Sequence, residues 1–243
     1  MTHIASQQNP RLKALRRLRS KRERERSGTF VVEGEDLVAA ARRAGREPLE
    51  GYSLAGTGLG GAGFHEVEAH ALAHASTLGS GTRVIAVYEQ RWSTAAGPLC
   101  VYQHGVGDPG NVGTILRAAR AFGASCVALG PDCADPHCAK AVRASMGAIF
   151  AVSLARVQDL AQLPGVLVAL DPRAEWTLSG PIAEIAPELT LLVGSEREGL
   201  PASVLSACER RARIAIEGDS LNAAMAATVA LYEMTRQTSR VRA

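Results

Sequence analysis

Three short stretches of this chain set polar side chains beside glycines at the ends of apolar runs. GDPGNVGTILRAARAFGA (107–124) offers Asn111 and Arg117, and LLVGSEREGL (191–200) offers Glu196 just after Gly194. EGDSLNAAMAATVALYE (217–233) offers Ser220, Leu221 and Asn222 ahead of a helix whose first turns are nearly all alanine. Each has an ordinary reading: Asn111 and Ser220 as helix N-caps, the alanines as helix formers, Glu196 as a surface turn residue. Arg117 reads as a solvated arginine by the same logic. At 100° per residue Val112, Ile115, Leu116, Ala119 and Phe122 gather into one stripe, and Arg117 points roughly 160° away from it. Two further patterns suggest other chemistry. GLGGAG (58–63) has the glycines of a dinucleotide fingerprint, but SLAGT before it is a poor strand and no acid lies between Glu68 and Glu89 to hold a ribose, so it reads as a loop. Cys133, His137 and Cys138 lack a fourth ligand at zinc-like spacing, so no metal site is expected.

The surrounding elements decide whether the three stretches can meet. At 243 residues with 47% hydrophobic content but only 4% aromatic, the core must be built from Val, Leu, Ile and Ala, the composition of sheets covered by helices. In the first part, TFVVEG (29–34) predicts a strand, EDLVAAARRAG (35–45) a helix and TRVIAVYE (82–89) a strand, a small α/β unit. QRWSTAAGP (90–98) is polar, small and proline-terminated, which predicts a linker between domains 1–89 and 99–243. Beyond it PLCVYQHGV, SCVALGP, IFAVSLARV, VLVALDP, ELTLLVGSE and RARIAI read as strands. They alternate with helices at 111–123, at about 136–147 and at the C-terminus. Such alternation predicts a mostly parallel sheet with helices on both faces. Ligands bind such sheets beyond the carboxyl ends of the strands, here the loops at 107–111, 194–200 and 217–222, where the three stretches lie.

The charge is unevenly placed. Between Arg11 and Arg26 there are nine Lys or Arg against two Glu, a local balance of +7 in a chain whose total is +3, so the remainder carries −4. Leu12, Leu15 and Leu18 give this stretch an amphipathic helical pattern with cationic flanks, open to two readings: a solvated helix laced by Arg–Glu pairs, or a nucleic-acid contact. The five cysteines, odd in number and scattered, suit reduced thiols. The start, MTHIASQQNPRLK, lacks the apolar core of a signal peptide, and no run approaches the roughly 20 apolar residues that span a bilayer. A cytoplasmic protein without a membrane partner is expected.

N-x-G-x-x-x-R-x-A-x-x-F-G at 111–123, G-x-E-x-x-G at 194–199 and S-L-N-x-x-x-A at 220–226 resemble, in this order, the three motifs of the SpoU/TrmH class of RNA ribose 2′-O-methyltransferases, within the SPOUT superfamily. IASQQNPRLKALRRL followed by FVVEGEDLVAAA resembles the RNA-binding domain that precedes the catalytic domain in many members, so the resemblance spans essentially the whole chain. It implies a C-terminal domain closed by a deep trefoil knot, which nothing in composition or periodicity indicates. It implies S-adenosyl-L-methionine as cofactor, held by Gly194, Ile214 and Leu221. The alanine-rich helix start then has a purpose, since small side chains let backbones and cofactor approach closely.

Arg117 is the residue the resemblance makes catalytic, framed by Asn111, Glu196, Ser220 and Asn222. A free guanidinium is a poor base, so Arg117 needs an RNA phosphate or a proton relay to remove a proton, and orienting the ribose hydroxyl is its more natural task. The basic helix becomes a substrate-docking surface through Arg11, Lys13, Arg16, Arg17, Arg19 and Arg22. A separate N-terminal domain points to ribosomal RNA, with transfer RNA as the alternative, and the resemblance implies a homodimer through the C-terminal domain. The chain departs from the family where Ala215 replaces a usual proline and only Asp219 separates Gly218 from Ser220, a loop about two residues short. A silent RNA-binding protein of the same fold and a nicotinamide-dependent oxidoreductase are the competing readings. The intact Asn111, Arg117, Glu196 and Ser220 argue against the first, the poor context of GLGGAG against the second.

Overall fold

The computed structural model describes residues 2–61, 63–78, 81–178, 187–218 and 220–241; Ala62 of GLGGAG and Asp219 of the shortened loop lie outside them. The chain forms two compact units, Met1–Gln90 together with Asp135–Ala151, and Arg91–Ala134 together with Val152–Ala243.

In the first unit β1 (His3–Ile4) leads to α1 (Pro10–Arg17), started by Asn9, whose side chain accepts from Arg11 N at 2.9 Å, and by Pro10 in the first turn. The expected single basic helix is two. After α1 the chain turns at Leu18–Ser20 and α2 (Lys21–Ser27) begins, ending at Gly28 with φ +65°. The break is set by Arg24, one of nine similar cations in sequence. Its guanidinium is buried and donates to the carbonyls of Leu18 and Arg19, both at 2.8 Å, capping α1, and to Asp135 Oδ2 at 2.6 and 2.8 Å. Removing either member of that pair would strand a buried charge, at a cost of about 3–5 kcal/mol. There follow β2 (Thr29–Glu33), α3 (Glu35–Arg43), β3 (Glu50–Leu54), β4 (Phe64–Val67), α4 (Ala69–Ala75) and β5 (Val84–Glu89). The five strands form one mixed sheet in the order β1-β4-β3-β5-β2. Leu12 and Leu15 are buried against Tyr52, Leu72 and Ile85, with Leu18 partly covered, as the three-residue spacing predicts. Strand β3 ends inside SLAGT at Leu54, and the glycine-rich stretch after it is loop.

The second unit holds β6 (Leu99–Gln103), α5 (Pro109–Ala121) and β7 (Cys126–Leu129). The chain then enters the first unit for α6 (Ala139–Ala144), shorter than the helix expected over 136–147 because Met146 and Gly147 take φ +48° and +85°. It returns for β8 (Ser153–Arg156), β9 (Val166–Leu170), β10 (Leu189–Val193), α7 (Ala202–Ala207), β11 (Arg210–Ala212) and α8 (Ala223–Val241). All six strands pair in parallel, in the order β11-β9-β10-β6-β7-β8. Cys100, Tyr102, Leu192, Val204 and Leu205 form one core under α7. The alternate residues Val101, Val127, Leu191 and Val193 are buried too, so both faces of the sheet are covered. Helices α5 and α8 pack against each other. In α5 the expected stripe Val112, Ile115, Leu116 and Ala119 is fully buried, while Phe122 caps the helix end, half-buried. No helix among the described residues is long and apolar enough to cross a membrane.

Candidate active site

Helix α5 is capped by Asp108, whose carboxylate accepts from Asn111 N at 3.1 Å, with Pro109 in the first turn. Asn111 is therefore released from the capping role its type suggests. Its Nδ2 donates to Glu196 Oε1, and its Oδ1 accepts from Asn222 Nδ2 at 3.0 Å. Asn222 Oδ1 in turn accepts from Ala224 N at 3.0 Å and Met225 N at 3.3 Å, so Asn222, not Ser220, caps α8. The amide orientations are dictated rather than chosen: a carboxylate only accepts and helix N–H groups only donate, so both asparagines can point one way only. This relay, carboxylate to amide to amide to helix terminus, ties together the three loops that the sequence left 85 and 111 residues apart.

Beside the relay lies a cavity of 720 Å³ lined by Gly194, Ile214 and Leu221, the three expected cofactor contacts, and by Glu196 and Ser220. Its floor is apolar, with Leu170, Val193, Leu200, Leu205 and Ala226. The loop over it is a tight turn: Ser195 N donates to Gly199 O at 3.2 Å and Gly199 N to Ser195 O at 3.1 Å, with Gly199 at φ +68°. A Cβ on Gly194 would stand 2.5 Å from Gly199 O and from Leu200 N, so only glycine fits where the backbone lines the cavity. A volume within the ~300–1,000 Å³ usual for cofactor sites, an apolar floor and a few polar groups suit a nucleoside-bearing cofactor such as S-adenosylmethionine. Main-chain groups at Gly194, Ile214 and Leu221 would hold it.

Arg117 projects from the outer face of α5, exposed and with no hydrogen bond among the described residues; like Asn111 and Asn222 it does not line the cavity. Ser220 is exposed at the cavity wall. His104, just past β6, donates its N–H to Val193 O at 2.9 Å, and its Nδ1 meets Tyr102 Oη at 2.9 Å. Partial burial holds its imidazole below the ordinary value, against the opposing charge of Asp132. In the first unit the six expected RNA contacts divide evenly. Arg11 pairs with Glu50, Arg16 donates to Gln7 O at 3.4 Å, and Arg19 donates to the last carbonyls of α4, His74, Ala75 and Ser76, at 3.3, 3.1 and 2.8 Å. Lys13, Arg17 and Arg22 are exposed, and their side chains make no hydrogen bond among the described residues. Cys133 donates to Gln103 O at 3.2 Å, and the His137 ring meets Phe30 edge-on at 4.7 Å. Among the described residues no three His, Cys, Asp or Glu are grouped to hold a metal ion.

Sequence reasoning missed Asp108, although Asp-Pro before an apolar period is a cap signal, and the cavity-lining Asp171, Arg173, Arg197 and Arg213. Nothing in their local patterns separates these from surface charges.

Residues 98–232, more than half of the chain, match the model of the SpoU rRNA Methylase family, and residues 9–94 match the MRM3-like substrate binding domain. The chain is 28% identical to the 23S rRNA (guanosine(2553)-2′-O)-methyltransferase RlmP of Bacillus subtilis, over 96% of this chain and 99% of that one. A crystal structure of an AdoMet-bound rRNA methyltransferase from Sinorhizobium meliloti superposes with a TM-score of 0.85 at 30% identity, covering 97% of each chain. The SpoU methyltransferase AviRb of Streptomyces viridochromogenes superposes at 0.83 with 27% identity, over 96% of this chain and 99% of that one. With Glu196, Asn111 and Asn222 joined beside one cavity and the family model spanning all three motifs, the chain belongs to the SpoU rRNA methylase family.

Proposed function

We propose that this protein methylates the 2′-oxygen of a ribose in ribosomal RNA. It is a methyltransferase that uses S-adenosylmethionine, as its family and relatives are. The observation that carries the reading is the junction of the three motifs: Glu196, Asn111 and Asn222 hydrogen-bonded in series on the edge of a cavity lined by Gly194, Ile214 and Leu221. When bound there, the cofactor supplies an electrophilic sulfonium methyl. The protein's own part is to hold the ribose hydroxyl in line and to assist loss of its proton. Glu196 and Asn111 fix the polar wall against which the ribose is placed, Ser220 adds a hydroxyl to it, and Arg117 reaches the hydroxyl or its adjacent phosphate.

Arg117 lies on the outside of α5 and away from its own chain's cavity lining, which supports a site completed by a second copy. Met225, Val229 and Tyr232, at 60%, 37% and 50% exposure, form an apolar stripe along α8, and Tyr232 meets Phe122 at the end of α5 at 6.2 Å. We read this stripe as the interface of a homodimer through the domain 99–243. In the same reading residues 1–89 dock RNA, 90–98 link the two domains, the C-terminal chain is threaded as a trefoil knot, and the protein works in the cytoplasm.

The test is direct. Purified protein titrated with S-adenosylmethionine should release heat, and titration with NADH should not. Ribose methylation mapped in RNA from cells with and without the protein should differ at one or a few positions in ribosomal RNA. A change confined to transfer RNA would move the substrate assignment, and no change in any RNA would refute the activity.

A further inference from the structure

The cavity opens between charges that the relay does not use. Arg173 in the turn after β9, Arg197 in the loop over the cavity and Arg213 just past β11 come from three separate segments, and all three line it. Each is exposed, the Arg173 side chain by 82%. The segment after β9 is held beside β11 by main-chain bonds, Arg213 N to Trp176 O at 2.9 Å and Leu178 N to Arg213 O at 2.8 Å. This pairing brings Trp176, one of only two tryptophans in the chain, alongside Arg213, and the Arg210 guanidinium lies 5.9 Å from its ring centre. Trp176 remains half-buried. Three acids share the rim: Asp171 is buried and accepts from Arg173 N at 3.0 Å and from its Nε at 3.5 Å, Glu196 accepts from Asn111, and Glu198 is exposed, so four arginines stand against three carboxylates.

We propose that this edge, Arg173, Arg197, Arg210 and Arg213 with Trp176 among them, is a second RNA-contact surface, carried by the catalytic unit itself. It takes an unpaired stretch of RNA beside the target ribose. Guanidinium groups spread around a cavity mouth and along the next strand match a chain of phosphates spaced along a backbone better than the single carboxylate of a cofactor. An indole flanked by arginines is a surface on which a splayed base stacks, and such stacking tolerates any base. The inference rests on the reading that RNA is the substrate. Under it, this edge presents the flexible nucleotide to the relay.

The experiment compares the full-length protein with the triple variant Arg173→Gln, Arg210→Gln, Arg213→Gln and with Trp176→Leu. The probes are protein-free large-subunit ribosomal RNA and a single-stranded oligouridylate of about 12 nucleotides, within the range such surfaces cover. Kd is measured from about 50 to 200 mM salt, and S-adenosylmethionine affinity by calorimetry. For the triple variant the slope of log K against log salt should fall by about 2, because each lost phosphate contact removes about 0.7. Trp176→Leu should bind RNA about ten-fold more weakly with its salt slope unchanged. Both should keep their cofactor affinity. A triple variant with the wild-type salt slope overturns the surface. So does one that loses cofactor affinity while its slope stays, because the arginines would then be holding the cofactor's carboxylate. A wild-type protein that binds neither RNA would instead overturn the substrate reading, and this surface with it.

Discussion

Gly194→Ala probes the claim that cofactor binding depends on main chain rather than side chains. The added methyl would lie 2.5 Å from Gly199 O and Leu200 N, backbone atoms that cannot swing aside as a flexible side chain can. Restoring a normal separation needs the 194–200 loop to move by roughly 1 Å, which strains the 3.2 and 3.1 Å bonds between Ser195 and Gly199. Overpacking of this kind costs about 1–3 kcal/mol. For a chain of this size that is a fall in Tm of roughly 2–12 °C. The same movement displaces the wall that Gly194, Glu196 and Leu200 give the cavity, so the Kd for S-adenosylmethionine should rise at least about ten-fold, or 1.4 kcal/mol. Gly218→Ala is the control: it lines the same cavity, yet nothing lies within 4 Å of its added carbon, and its stability should change by less than about 0.5 kcal/mol. Thermal melts and calorimetry on the three proteins decide the matter. A Gly194→Ala protein that melts and binds cofactor as the wild type does would refute the reasoning, as would equal losses in both variants.

Arg117→Ala should lower methyl transfer by roughly 10²-fold or more while cofactor binding is kept; near-normal turnover would remove Arg117 from the catalytic role. Neutralising Lys13, Arg17 and Arg22 together should weaken RNA binding and lower its salt slope by about 2 without changing Tm. Arg19→Ala should mainly lower Tm, because its guanidinium holds the end of α4; a salt slope that ignores the first three would make that helix pair a solvated surface. Met225→Arg with Val229→Arg should give a monomer by light scattering and a large loss of activity, since both residues are exposed in a single chain and leave its fold intact. A double variant that is monomeric and fully active would show that each chain's site is complete by itself.

Much of the catalytic unit was legible because its strands are continuous apolar runs and its helices periodic ones. Val112, Ile115, Leu116 and Ala119 are buried where the 100° stripe puts them. The first unit was less so. Its sheet includes β1, only two residues long, and β3, whose EGYSL reads as no strand in isolation; both exist because neighbours supply their hydrogen bonds. Long-range pairing also explains the broken basic helix. Sequence sees Arg24 as one cation in a row, whereas the fold gives it Asp135, 111 residues away, and two carbonyls to cap. The relay was half legible: its residue types were evident, but their capping roles were assigned by type, and geometry gave them to Asp108 and Asn222 instead of Asn111 and Ser220.

Helix α8 shows how small side chains can carry two duties that sequence alone merges into one. The breadth of its alanine face permits a close approach by another helix. In the structure Ala223, Ala227 and Ala230 are buried within the chain itself, and Ala226 partly so, because α8 packs against α5 as well as against the sheet. That close packing of α5 on α8 is what brings Asn111 within 3.0 Å of Asn222, so the alanines serve the relay before they serve any interface. The outward face is then left to larger residues, Met225, Val229 and Tyr232, at i, i+4 and i+7. An Ala227→Arg change would accordingly break α5 from α8 and destroy the site in each chain, whatever its oligomeric state. Only substitutions on the outer stripe separate the assembly of two chains from the assembly of one.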